Sequence, residues 1–229
     1  MSRIIGRGER LTRLHTFRNK FVDAPGSLGA RYRSRRWDWL RATFPELDQM
    51  SVIDLGGTAE AWRRAPVQPA RVHIVNLEKP PPDLPSWLRS DNADACELPA
   101  EILAGDYDVV ISNSVLEHVG GHARRSMFAD AVHELADRHW VQTPYRYFPV
   151  EPHWVCPGMQ FLPAAARVTV ARHWPLVHTP PADRAEALRT VLDVELLSRT
   201  EMRAYFPHSS IRSEKVAGLT KSLIAVKRS

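Results

Sequence analysis

The run Ser51-Val52-Ile53-Asp54-Leu55-Gly56-Gly57-Thr58 constrains the fold of this 229-residue chain more than any other stretch. A short apolar, β-branched segment closed by an acid and two glycines reads as a buried strand of an α/β sheet. Paired glycines past the strand tip let the backbone turn tightly and approach a ligand closely. In open α/β sheets, ligands lie beyond the carboxyl ends of the strands, near the switch point. The stretch therefore points to both a fold class and a place for a site.

The flanking pattern alternates strands and helices. Leu11, Leu14, Phe17 and Phe21 predict an arginine-rich helix over 1–22, and turn signals across 23–29 end it. Trp37, Leu40 and Phe44 predict a second helix over roughly 30–44, ended by Pro45. Residues 1–45 read as an N-terminal helical cap on a domain over 46–229, the whole forming a single compact unit. Strands are expected at 51–55, 72–78, 107–113 and 139–143, with a polar link over 91–99 that can include a short third strand. A short helix or turn is expected at 59–65 and a helix at 122–137. Residues 144–185, dense in proline and aromatics, read as a long irregular insert of the kind that forms a lid or binding loop. Ser198-Arg199-Thr200-Glu201 is a capping-box pattern for a helix to about Tyr205. Strands over 211–217 and 223–227, joined through Gly218-Leu219-Thr220, predict a close antiparallel pair on an otherwise parallel sheet.

Composition narrows the class. No apolar run approaches the roughly 18–20 residues that span a bilayer, and Met1–Gly8 has no apolar signal region. Two cysteines, Cys96 and Cys156, make no disulfide framework, so a cytoplasmic protein with free thiols is expected. The net charge of +5 is uneven. Residues 1–41 hold eleven Arg and Lys against three acids, an excess of eight, so the remaining 188 residues carry three net negative charges. That basic segment reads as a solvated helical face or as a surface that steers an anion.

The chemistry concentrates after the first two strands. An acid that binds ribose hydroxyls is expected about 20 residues past a glycine turn. Asn76 lies 20 residues past Gly56 and Glu78 lies 22 past it. Two apart on a strand, they would face the same side. The dinucleotide pattern G-x-G-x-x-G is not met, and there is no G-x-x-x-x-G-K-[ST] phosphate loop. Asp54, the acid before the glycines, suits an ammonium or sulfonium ligand better than a pyrophosphate.

Four motifs stand in order: Asp54-Leu55-Gly56-Gly57, the acid ending strand two, Asp94-Ala95 before Leu98-Pro99, and Tyr107 through Val119 with Asn113-Ser114-Val115-Leu116-Glu117-His118 at its tip. Together they resemble the class I S-adenosylmethionine-dependent methyltransferases, in particular their small-molecule branch. The resemblance covers about residues 50–143, and the terminal helix and hairpin more loosely. It implies a Rossmann-like, seven-stranded, mostly parallel sheet with a reversed last strand. It implies S-adenosylmethionine as cofactor and S-adenosylhomocysteine as product. The Asp54, Gly56 and Gly57 turn would hold the methionine part, and Glu78 or Asn76 the ribose. Asp94 would meet the adenine amino group with Ala95 beside it, and Asn113 and Ser114 would lie near the methyl group. The usual third glycine is Thr58 or Ala59 here, and the strand-two acid is displaced or replaced.

Methyl transfer needs positioning and, for a hydroxyl acceptor, a general base. His118 is the first candidate, with Glu117 beside it; Tyr145, Arg146, Tyr147, Glu151 and His153 are candidates for the acceptor pocket. No metal is expected, because the histidines and acids show no H-x-x-E-H or H-E-x-x-H spacing. The leading expectation is methylation of O or N on a small molecule by a monomer or homodimer. The alternatives are a nucleic-acid methyltransferase using the basic N-terminal helices, and a cofactor-binding protein without catalysis.

Overall fold

The computed structural model describes residues 28–177 and 179–229, with side chains from residue 34 onward. The helix expected over 1–22 lies outside the described residues. The described residues fall into two compact units, one of 28–39 with Pro149–Leu192, the other of Leu40–Phe148 with Asp193–Ser229. The boundary falls within helix α1 (Leu28–Thr43).

The second unit is built on seven strands: β1 (Ser51–Leu55), β2 (Arg71–Asn76), β3 (Leu88–Asn92), β4 (Val109–Asn113), β5 (His139–Pro144), β8 (Ser210–Val216) and β9 (Leu219–Lys227). Their order is β3-β2-β1-β4-β5-β9-β8. All pairings from β3 to β5 are parallel, and β9 runs antiparallel to both β5 and β8. This is the expected mostly parallel sheet with one reversed strand. The chain leaves β1 for β2 on one side and later places β4 on the other, so the switch point lies between the tips of β1 and β4.

Helices α2 (Ala59–Arg63), α3 (Ala100–Leu103), α4 (His122–Leu135) and α7 (Arg199–Tyr205) belong to this unit. One continuous apolar core joins Ile53, Leu55, Val75, Val110 and Val141 of the sheet to Phe128, Val132 and Leu135 of α4 and Met202 of α7. Each strand from β1 to β4 carries a mainly buried run of Val, Ile and Leu except β3. That strand reads Leu-Arg-Ser-Asp-Asn and has only its first residue buried. It sits at the open edge of the sheet, so one side is solvated. This is why it starts three residues before the expected 91–99 link and carries no apolar signal.

Some strand ends also differ from expectation, one being that β4 begins at Val109 rather than at 107. β2 stops at Asn76 rather than Glu78, because the Asn76 side chain accepts from the Glu78 amide at 3.2 Å and turns the chain out of the sheet. β9 begins at Leu219, because the turn uses only Ala217 (φ 48°) and Gly218 (φ 81°). Two consecutive left-handed residues make the tight reversal that matches strand twist. Pro144 closes β5 as expected.

In the other unit, residues 149–192 are more regular than the expected irregular insert. They hold a short hairpin of β6 (Val150–Glu151) and β7 (Cys156–Pro157), then α5 (Ala164–His173) and α6 (Arg184–Leu192). The two helices bury Val168 and Ala171 of α5 with Ala187 and Val191 of α6. Their prolines stand at element borders, where φ near −65° and a missing amide are tolerated: Pro163 precedes α5, and Pro175, Pro180 and Pro181 fall between the helices. Among the described residues no helix is long and apolar enough to cross a membrane.

Candidate active site

The site is built from the carboxyl ends of β1 to β4. Asp54 alternates with Ile53 and Leu55, which face the core, so its carboxylate points to the opposite face of the sheet. There Trp62 of α2 donates its indole N–H to Asp54 Oδ2 at 2.7 Å. Asp54 Oδ1 is buried and accepts no hydrogen bond among the described residues. Burial pushes the Asp54 carboxyl up to about 7, opposed only by the Trp62 hydrogen bond. Gly57 lies directly against that carboxylate, where a side-chain carbon would collide with it. Gly56 turns with φ 80°, and its amide donates to Val75 O at 2.7 Å, joining the turn to β2. A side chain at Gly56 would strike Val115, which lies beside it at the switch point.

Asn76 fixes the neighbouring strand tip. Its Nδ2 donates to Gly57 O at 2.8 Å while its Oδ1 takes the Glu78 amide. The glycine turn and the end of β2 are thereby held as one piece. A small cleft of about 70 Å³ lies on this side, lined by residues that include Gly57, Thr58, Asn76, Glu78 and Ser90.

A larger cavity, about 390 Å³, is lined by Gly56, Asn76, Asp94, Ala95, Ser114 and His118 among the expected residues. Val75, Leu77, Ala93, Val115, Val119 and Arg124 complete it. Its apolar side chains and few polar groups are those of a small-molecule site, and its size is in the usual range. Asp94 Oδ1 accepts from the Cys96 amide at 2.9 Å, and Oδ2 accepts from Arg124 at 2.5 Å. Burial alone would raise the Asp94 carboxyl, but the Cys96 amide and the Arg124 guanidinium hold it below the usual carboxylate range. Ser114 is a non-glycine residue at φ 57°. Its amide donates to Gln142 O at 2.9 Å and its hydroxyl to Gln142 Oε1 at 3.1 Å, so β5 holds the strained turn in place.

The remaining candidates are not among the residues that line this cavity. Asn113 is exposed at the tip of β4 and is not among the lining residues. Glu117 is buried beneath the loop that carries His118; its Oε2 accepts from Thr143 at 2.8 Å and its carbonyl from the Glu195 amide. Tyr145 packs on the core, with its ring 5.5 Å from that of the exposed Tyr147. Arg146 is committed to Leu196 O at 2.8 Å and Glu201 Oε1 at 3.0 Å. Glu151 and His153 belong to the other unit, paired at 2.7 Å, with the second Glu151 oxygen on the Trp154 amide. Arg124 had no local signal: it sits 30 residues from Asp94, and only the fold joins them.

The residues present fit an S-adenosyl group. An orphaned buried carboxylate oxygen behind a glycine turn suits an ammonium, and an ionised acceptor on an apolar wall suits a heterocycle bearing an amine.

The fold is that of the class I S-adenosylmethionine-dependent methyltransferases. Among solved structures it is similar to a Mesorhizobium loti S-adenosylmethionine-dependent methyltransferase, with TM-score 0.51 and 15% identity over 83% of this chain and 96% of that one. A Listeria monocytogenes protein, provisionally described as such an enzyme, gives TM-score 0.51 and 14% identity over 85% and 99%. A Bordetella parapertussis protein, provisionally described as exported, gives TM-score 0.53 and 15% identity over 99% and 74%. No protein-family model and no curated protein matches the sequence.

Proposed function

We propose that the chain is an S-adenosylmethionine-dependent methyltransferase acting on O or N of a small molecule. The observation that carries this reading is the 390 Å³ cavity at the switch point, with Gly56, Asp94, Ser114 and His118 on its wall. The bound cofactor supplies an electrophilic methyl group on a sulfonium, so the protein's work is to position and to exclude water.

In this reading Asp54 and the Gly56–Gly57 turn receive the amino-acid end. Asp94 and Ala95 receive the base, with Leu77, Val115 and Val119 as apolar walls. Asn76 and Glu78 serve the ribose from the tip of β2. His118, exposed on the cavity wall, accepts the proton of a hydroxyl acceptor, since an imidazole can carry one near neutral pH. Glu117 acts as a positioning residue: through Thr143 and Glu195 it fixes the loop on which His118 stands. Tyr145, Arg146, Tyr147, Glu151 and His153 remain proposed acceptor-side residues.

Isothermal titration of the full chain with S-adenosylmethionine tests the reading. Binding at concentrations on the order of 100 μM, within the range of ordinary KM values, is expected. Silence at that concentration sinks it.

A further inference from the structure

Among the described residues Arg124 is the one permanently charged cation that lines the cavity, and three contacts fix it. Its Nε donates to Val119 O at 2.7 Å, one terminal nitrogen reaches Asp94 Oδ2 at 2.5 Å, and the other lies 3.5 Å from Glu97. Its own carbonyl accepts from the Cys96 thiol at 3.3 Å, and Gly120, at φ 103°, leaves room for its side-chain stem. A guanidinium held at three points presents a fixed plane. Asp94 Oδ1 accepts from the Cys96 amide and Oδ2 from Arg124, with the Cys96 thiol also bearing on the carboxylate, and a carboxylate oxygen accepts more than one hydrogen bond. Asp94 is therefore oriented and still able to accept from a donor inside the cavity.

We propose that Arg124 is a specificity-determining positioning residue, holding the Asp94 carboxylate ionised and aimed so that the site selects a purine bearing an exocyclic amine. The inference rests on the methyltransferase reading and extends it to a residue outside the motifs. Without Arg124, Asp94 keeps only its contacts to Cys96, loses its charged partner, and takes up a proton at higher pH. A protonated carboxyl carries one O–H donor and is a weaker acceptor, so preference for an amine falls with affinity.

The groups that bear on Asp94 are Arg124 and the amide and thiol of Cys96, with Glu97 bearing on Arg124 and His118 elsewhere on the same cavity wall. The thiol is pushed up to about 11 by burial and stays neutral in the working range. The Asp94 carboxyl therefore governs the acid limb of binding.

The test is titration calorimetry of the full chain with S-adenosylhomocysteine and with its inosine counterpart, which lacks the exocyclic amine, from pH 4 to 8. Wild type is expected to prefer the adenine ligand by roughly tenfold or more, the worth of one hydrogen bond to a charged acceptor. Arg124→Ala is expected to lose most of that preference and to move the acid limb to higher pH. Arg124→Lys is expected to restore the acid limb, because the charge returns, and only part of the preference, because the fork does not. Arg124→Gln keeps the stem and lacks the charge, so it should follow Arg124→Ala and guards against a packing effect. If wild type binds and Arg124→Ala and Arg124→Gln keep both the preference and the pH profile, the inference falls and the methyltransferase reading stands. If wild type binds neither ligand, both fall.

Discussion

Asp54 shows how far a single residue can be read from sequence. Its place after a buried strand and before two glycines is visible in the chain, and so is its suitability for a cation. Its partner is not: Trp62 stands eight residues on, and only the short helix α2 brings the indole to the carboxylate. The pairing has a consequence for stability. The Asp54 carboxyl rises from 3.8 to about 7 on folding. A raised acid favours the folded state fully below pH 3.8 and loses that advantage as pH climbs towards 7. About three pH units at 1.36 kcal/mol each give on the order of 4 kcal/mol. Ligand-free wild type should therefore lose stability relative to Asp54→Asn between pH 4 and pH 8, read as diverging urea midpoints. Parallel midpoints across that range would refute the burial argument. Gly57 belongs to the same unit, because its missing side chain is the space the carboxylate fills. Gly57→Ala should cost about 1–3 kcal/mol by overpacking. Combining it with Asp54→Ala should recover part of the loss, and a strictly additive double mutant would mean the two residues do not meet.

At the scale of elements, what was legible was local. The Ser198 to Glu201 capping box is present in full, with Ser198 Oγ accepting from the Glu201 amide and the Glu201 carboxylate accepting from the Ser198 amide. It could be read because all its atoms lie within four residues. The ion network around it could not. Arg125, on the buried side of α4, donates to Glu195 Oε2 and to Glu195 O, and lies 3.8 Å from Glu201, which in turn holds Arg146. The sequence shows Arg124-Arg125 as an ordinary charged pair in a helix. Only the fold sends one to the cavity and the other into the interior. Edge strand β3 was obscure for a related reason, since a strand solvated on one side needs little apolar sequence.

Two outcomes follow for this network. Arg125→Ala removes a buried guanidinium whose partners Glu195 and Glu201 are themselves partly exposed, and should cost about 1–3 kcal/mol in chemical denaturation. A loss below about 1 kcal/mol would show the pair to be solvated in practice. Glu201 gives a second handle. Burial would raise its carboxyl, but the Ser198 hydroxyl and amide, Arg146 and Arg125 bring it below the usual 4.5. A lowered acid contributes stability that is present above pH 4.5 and drains away as pH falls through the folded value. Glu201→Gln should therefore be less stable than wild type at pH 7 and approach it as the pH is lowered below 4.5. A constant gap between the two at all pH values would assign the loss to the hydrogen bonds alone.

At the scale of the whole molecule, the larger cavity is lined entirely by residues of the sheet-bearing unit, although the chain leaves that unit at residue 149 and returns at 193. A ligand that binds the native sheet unit and not its unfolded chain adds stability by mass action, about 2.7 kcal/mol at one hundred times Kd. For a unit of this size each kcal/mol is worth roughly 2–4 °C, so S-adenosylhomocysteine at that excess should raise the melting transition of the sheet unit by roughly 5–10 °C. Hydrogen exchange locates the effect. Protection should rise at the backbone amides of the strand tips, around Gly56, Ala95 and Ser114, because these line the cavity and open locally before the core does. The β1 and β4 interiors, already buried, should change less. Slowed exchange confined to residues 149–192, with the strand tips unchanged, would place the ligand in the other unit and overturn the switch-point site while leaving the fold as described.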